Sequence, residues 1–142
     1  LASANLIAVT EALAACAKVG LDLGIAYEAI AASSGNSFVH ETEGQVILNG
    51  SRDINFAMDL VKKDVGLFIA MAKEAGMELE LGNLVAEIFD DGIERYGSRE
   101  WSPNIIKRSE DDYNIEVITP GFPAEMLDDE PEEFVGEIRV RH

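Results

Sequence analysis

The 142-residue sequence predicts an all-α fold, a bundle of several helices followed by an acidic tail. Three observations carry this. Apolar residues recur at spacings of three and four through most of the first 110 positions, the repeat that lines one side of an α-helix. Gly20, Gly50, Gly76 and Gly97 interrupt that repeat where a helix must stop, because glycine takes the left-handed conformation of the C′ position at least cost. Before Asp111 nothing alternates with period two over a useful length, so no strand is predicted there.

The first helix, residues 1–19, is rich in Ala and Leu and carries no glycine or proline. Leu6, Val9, Leu13 and Cys16 draw one apolar stripe along it, and seven alanines keep it slim enough for neighbours on several sides. Such a helix belongs at the centre of a bundle. Asp22 caps a second helix running to about residue 33, with Ile25, Ala29, Ile30 and Ala32 inward. The stretch Ser33-Ser34-Gly35-Asn36-Ser37 is a turn. Residues 38–48 form a short helix closed by Asn49-Gly50, and residues 52–55 a polar loop. A second long helix over 58–75 turns Leu60, Val61, Val65, Phe68, Ile69 and Ala72 inward. Residues 81–96 repeat the style with Leu84, Val85, Ile88, Phe89 and Ile93. Ser102 then caps, and Pro103 opens, a last short helix over 104–110.

From Asp111 the composition changes. Three of the four prolines (Pro120, Pro123 and Pro131) lie here, with the acidic runs Asp128-Asp129-Glu130 and Glu132-Glu133. The boundary is therefore placed between a helical body, 1–111, and an acidic tail, 112–142. Residues 113–119 and 134–140 read as extended segments. The tail is an arm laid on the body or on a partner chain, or else a disordered extension.

The formal net charge is −16, from 27 acidic against 11 basic residues. That sign repels nucleic-acid backbones and anionic membrane surfaces, so neither is expected as a partner. No run approaches the roughly 20 apolar residues that a membrane span needs. Cys16 is the only cysteine, which rules out an intrachain disulfide and a thiolate metal cluster. A soluble, cytoplasmic protein is the expectation. The chain opens at Leu1 in mid-pattern, and the expectation is a fragment of a longer protein.

Much of the usual chemistry is missing. The sequence holds no glycine-rich phosphate loop, no His and Glu at metal spacing, and no nucleophilic triad. His40 stands beside Glu41 and Glu43, which reads as a solvated helix face and not as a metal site; no metal is expected. Glu11 reads as a helix-edge carboxylate in water, Cys16 as a small core residue. The tail's acids lack the spacing of a calcium loop. One segment stands out. Lys63-Asp64-Val65-Gly66 sets a cation, an anion and a glycine within one turn of a long helix. Glycine there costs roughly 1 kcal/mol relative to alanine. Close approach of a ligand would compensate, and so would a helix crossing at Gly66 beside a surface ion pair.

Lys63-Asp64-Val65-Gly66 resembles the Lys-Asp-Leu-Gly cofactor motif of the β-hydroxyacid dehydrogenase (3-hydroxyisobutyrate dehydrogenase-like) family. Upstream, Thr10-Glu11-Ala12-Leu13 and Lys18-Val19-Gly20-Leu21-Asp22 are similar to the family's Glu-Ala-Leu and Lys-x-Gly-Leu-Asp blocks. Ser33-Ser34-Gly35 matches a turn found in many members, and Tyr96-Gly97 with Glu100-x-Ser102 resembles the final block. The likeness runs from about residue 5 to 111 with correct spacing between blocks. It implies the all-helical C-terminal domain of 6-phosphogluconate and 3-hydroxyisobutyrate dehydrogenases.

The resemblance further implies NAD or NADP as cofactor, bound mainly by an N-terminal Rossmann domain that this chain lacks. It implies a small carboxylic acid substrate and a homodimer. Lys63 would reach the dinucleotide. Asp64 would support the catalytic lysine, which would fall just upstream of Leu1, so that no catalytic residue lies in the chain. Phe56 would line the substrate pocket, and Asn36 and Phe38 would approach the same cleft. The chain departs from the family pattern at Phe68 and Ala70, where a small residue and an acid are usual, and at Glu100 and Pro103. Two other readings stay open: a non-catalytic helical dimerisation or binding module, and a domain of the imine reductase type.

Overall fold

The computed structural model describes residues 1–126. They form six α-helices: α1 (Ala2–Lys18), α2 (Leu23–Ala31), α3 (Phe38–Asn49), α4 (Met58–Glu74), α5 (Glu80–Tyr96) and α6 (Lys107–Tyr113), with a 3-10 turn over Ser102–Ile106 leading into α6. No strand occurs among the described residues, only two isolated bridges. The all-α prediction holds.

α1 is the central element and touches α2, α3, α5, α6 and the 3-10 turn. Its buried residues, among them Leu6, Val9, Leu13 and Ala14, occupy more than one face. The Thr10 hydroxyl is buried too and donates to the Ile7 carbonyl at 2.8 Å, which satisfies it inside the core. Glu11 lies exposed on the outside, as expected. The helix ends at Gly20, whose φ of +76° is the left-handed stop anticipated from sequence.

α2 begins where Asp22 was expected to cap it, its carboxylate accepting from the Ile25 amide at 2.9 Å. The inward face differs from the expectation. Leu23 and Tyr27 are buried, Ile30 is half-buried, and Ile25 is 71% exposed along with Ala29 and Ala32. The Tyr27 ring decides the rotation of the helix. It stacks on His40 at 4.3 Å and meets the edge of Phe122 at 4.9 Å.

α3 is capped by Ser37, whose hydroxyl accepts from the His40 amide at 3.1 Å, and closed by Gly50 at φ +89°. The solvated face expected around His40 is not found. His40 is fully buried, and its Nε2–H donates to the Tyr27 carbonyl at 2.9 Å. Glu43, one turn on, is half-buried with Oε2 unpartnered.

α4 and α5 form an antiparallel hairpin and make the most extensive helix pair. On α4 only Met58, Val61 and Ala72 are buried, and Phe68 is 56% exposed. On α5, Val85, Phe89 and Gly92 are buried while Leu84 is 52% exposed. Phe68 and Leu84 therefore stand outside the inward faces predicted for them, because no described element covers that side. The helix crossing proposed at Gly66 is also absent, since a methyl there would meet nothing within 4 Å. The close approach sits at Gly92 instead, where a methyl would overlap Ile105 Cδ1 and lie 3.4 Å from the Met58 sulfur.

Ser102 does not cap the last helix. It is buried as the first residue of the 3-10 turn, with Pro103 behind it, and α6 starts only at Lys107. Arg52, read as polar loop, is buried at φ +56°. Its guanidinium donates to both oxygens of Glu110, at 2.8 and 2.7 Å, and Glu110 Oε1 also accepts from the Val117 amide at 3.0 Å. α6 continues to Tyr113, so the expected body-to-tail boundary at 111 falls within a helix. Beyond it, residues 115–126 lie on the body without regular structure. Val117 is fully buried, the Thr119 amide donates to the Leu48 carbonyl, and the Asn49 side chain donates to the Phe122 carbonyl. The acidic runs, Pro131, the extended segment expected at 134–140 and His142 lie outside the described residues.

Candidate functional site

The approach to α4 is held by backbone bonds to the segment after α5. The Ser102 amide donates to the Phe56 carbonyl at 2.8 Å, the Met58 amide to the Glu100 carbonyl and the Asp59 amide to the Ser98 carbonyl. Orphan amides at the start of α4 are thus satisfied without a capping side chain, and Phe56 is fixed two residues before the helix. Its ring is 37% exposed.

That ring faces a cleft of about 750 Å³ between the N-terminal parts of α1, α4 and α5. Ala4 of α1, Phe56, Val65 and Phe68 on the α4 side, and Leu81 and Val85 of α5 make most of its wall. Its ionisable side chains are Asp64, Glu78 and Glu80, all acidic. Asp64, six residues beyond the start of α4 at Met58, lines the same cleft. Lys63 stands beside it, with Nζ 3.3 Å from Asp64 Oδ1 and both side chains more than half exposed. The neighbouring cation Lys62 is tied across to Asp90 of α5 at 2.5 Å.

The structure therefore brings Phe56 and Asp64 together, with Lys63 at the rim. It does not bring Asn36 and Phe38 to this cleft. The Asn36 side chain is spent locally, donating to Glu41 Oε1 at 2.6 Å and accepting from the Ser37 amide at 2.8 Å. Phe38 opens α3 with its ring 59% exposed. Two further hollows, of about 530 and 570 Å³, are lined by Arg52 and Glu110 in one case and by Glu11, Lys18 and Arg108 in the other. Neither gathers the predicted residues. Sequence reasoning missed Phe68 and Leu81 as cleft residues. Phe68 was visible only as a bulky side chain where the family pattern has a small one.

Two groups elsewhere have displaced acidities. Burial lifts the Glu43 carboxyl out of the usual carboxylate range to about 7. Burial, then the hydrogen bond to Asp111, pushes the Tyr96 phenol up to about 12. Neither faces the cleft. Among the described residues no group of three or more His, Cys, Asp or Glu side chains is placed to hold a metal ion. No helix among them is long and apolar enough to cross a membrane.

Known proteins bear on this site. Over 104 residues the chain is 34% identical to the 2-(hydroxymethyl)glutarate dehydrogenase of Eubacterium barkeri, a match covering 72% of this chain and 35% of that protein. It is 27% identical over 107 residues to the L-threonate dehydrogenase of Escherichia coli K12, covering 75% of this chain and 35% of the relative. Among solved structures, the 3-hydroxyisobutyrate dehydrogenase of Salmonella typhimurium superposes with a TM-score of 0.69 at 28% identity, over 76% of this chain and 38% of that one. The Mycobacterium tuberculosis 3-hydroxyisobutyrate dehydrogenase shares the fold, with a TM-score of 0.65 at 23% identity. The chain spans about a third of the length of the curated relatives it matches. Residues 1–108 match the family described as the NAD-binding part of NADP-dependent 3-hydroxyisobutyrate dehydrogenase, which includes the whole α4 motif and every residue of the cleft. The chain belongs to that family.

Proposed function

We propose that this chain is the C-terminal helical part of an NAD(P)-dependent oxidoreductase acting on a small β-hydroxyacid or its semialdehyde. The observation that carries the reading is the meeting of Phe56 and Asp64 in one cleft, with Lys63 at its rim, on a chain of this family. The helical body, which α6 carries to Tyr113, is the cleft wall and dimerisation domain, and the acidic part of the tail follows the strap, residues 115–126, that lies on it. The Rossmann domain and the catalytic lysine belong to polypeptide preceding Leu1. The protein is a cytoplasmic homodimer.

The residues present suit a dinucleotide. The pair of Lys63 with Asp64 is a surface one, worth at most about 1 kcal/mol, so the ammonium is free to move to a pyrophosphate or ribose oxygen. Gly66, one turn on, is exposed with open space above it, which lets a ligand approach the backbone. A bound NAD or NADP supplies the hydride chemistry. Asp64 orients the polar groups around the upstream lysine, which serves as general acid and base at the carbonyl oxygen. Phe56 lines the substrate pocket.

The test is dinucleotide binding to the full-length polypeptide, followed by fluorescence of the reduced cofactor. Lys63→Ala is expected to weaken binding about tenfold, the loss of one charge-assisted hydrogen bond. Unchanged binding in the variant would remove Lys63 from the site, and no binding by the wild type would remove the reading altogether. The residue at the lysine position upstream of Leu1 adds a second check. Anything but lysine there favours a reductase of C=N bonds, and tight binding without turnover favours a non-catalytic module.

A further inference from the structure

The cleft is bare on its α4–α5 side. Phe68 and Leu81, both in its lining, are 56% and 60% exposed, and no described element covers them. Contiguous apolar surface left open in this way marks an interaction site. The carboxylates of the lining are not equally placed. Asp64 has Lys63 beside it, and the Leu1 end of the cleft belongs to the preceding polypeptide and the lysine assigned to it. Glu78 and Glu80 stand exposed at the head of α5, and neither has an ion-pair partner among the described residues. The described chain ends close by. Ser51 donates to the Ala124 carbonyl, and Asp53 forms a parallel bridge with Glu125, so the two stretches run side by side in one direction. Three residues beyond Asp53 comes Phe56, on the cleft wall. Glu125 therefore stands within roughly 15 Å of Phe56.

The sequence that follows suits both properties of the bare side. From Phe134 to Arg141 it alternates with period two, which sets Phe134, Ile138 and Val140 on one edge of an extended segment and Arg139 and Arg141 on the other. Those two arginines are the only Arg or Lys after Arg108. Residues 127–133 can span up to about 23 Å, enough to carry the segment past Phe56. We infer that residues 134–141 dock in the cleft of their own chain, the apolar edge against Phe68 and Leu81 and the guanidiniums toward Glu78 and Glu80. The acidic residues 128–133 then pass the rim where Lys63 stands. The exit beside Phe56 gives the tail an effective concentration on the order of millimolar, which favours it over a second copy of the chain. If the cleft is the substrate site, as proposed above, the docked segment is an internal competitor that substrate must displace.

The experiment is photo-cross-linking in the full-length polypeptide, with benzoylphenylalanine in place of Phe134 and the joined peptides read by mass spectrometry. Cross-links are expected to the α4 and α5 peptides that carry Phe68, Leu81 and Val85. Mixing light and heavy isotope-labelled protein should show them within single copies. Arg139→Glu with Arg141→Glu is expected to cut their yield about fivefold, two exposed ion pairs being lost and like charges set in their place. Arg139→Lys with Arg141→Lys should keep most of it. Cross-links scattered over the surface, confined to the preceding polypeptide, formed only between copies, or unmoved by charge reversal would overturn the docking. None of these outcomes needs catalysis, so they leave the oxidoreductase reading standing. Competition is read from turnover of 3-hydroxyisobutyrate with NAD(P), where charge reversal should lower KM by up to the same factor at unchanged kcat. An unmoved KM would overturn the competition. A protein that cross-links as expected yet binds no dinucleotide would sink the oxidoreductase reading and leave the docking in place.

Discussion

At the scale of single residues, Gly66 and Gly92 occupy the interiors of consecutive helices and answer to opposite physics. A methyl at Gly92 overlaps Ile105, which is itself buried and has little room to turn. Gly92→Ala is expected to destabilise the fold by about 1 kcal/mol, overpacking of roughly 2 offset in part by helix propensity. Gly66→Ala meets nothing, so it should stabilise by about 0.5–1 kcal/mol in a urea titration while weakening dinucleotide binding in the full-length protein. Unchanged binding would mean that Gly66 is a tolerated cost and not a contact point. Glu43 offers a pH signature. Its folded acidity near 7 stands above the ordinary 4.5, so between those values the native state holds a proton that the unfolded chain releases. Stability contributed by this group is therefore present at low pH and lost as pH rises toward 7. Glu43→Gln should leave stability near pH 4 little changed and raise it above pH 7 by about 1–3 kcal/mol. The difference between wild type and variant isolates this residue from carboxylates that titrate the other way, such as Asp91, held below the usual range by its hydrogen bond from Arg108.

At the scale of elements, helix limits were legible in the sequence to within a few residues because they are set locally. Asp22 caps, Ser37 closes a turn, and Gly20, Gly50 and Gly76 take positive φ. The rotation of each helix was less legible. Periodicity marks an apolar stripe but not the neighbour that covers it, which is why Ile25, Phe68 and Leu84 were wrongly turned inward. His40 shows the converse. Flanked by glutamates it looked solvated, and only the Tyr27 ring and carbonyl, supplied by another helix, make its burial possible. Of the site, Phe56 and Asp64 were each singled out by resemblance and share one cleft, whereas Asn36 and Phe38, at the start of α3, do not line it. The Arg52–Glu110 pair, 58 positions apart, left no local trace. Both side chains are largely buried, so Glu110→Gln leaves a guanidinium without its countercharge. A loss of about 3 kcal/mol is expected, with faster hydrogen exchange at the Val117 and Thr119 amides. Exchange unchanged there would show that residues 115–126 are held without Glu110.

At the scale of the whole molecule, the order of assembly follows from the way residues 115–126 return to the body. The bonds from Asn49 to Phe122 and from Ser51 to Ala124 each span 73 positions, so α4, α5 and α6 all lie inside one long closed loop. Contacts between α4 and α5 are local and form early, whereas the entropy of closing so long a loop is met late in folding. A chain emerging from the ribosome therefore completes the cleft's α4 and α5 walls well before Val117 reaches its seat. Until then the Leu48 carbonyl has no amide from Thr119, and one side of the Tyr27 ring stays uncovered. The strap acts as a latch that comes last, so a chain that has every helix but not this contact still exposes apolar surface at the seat of Val117.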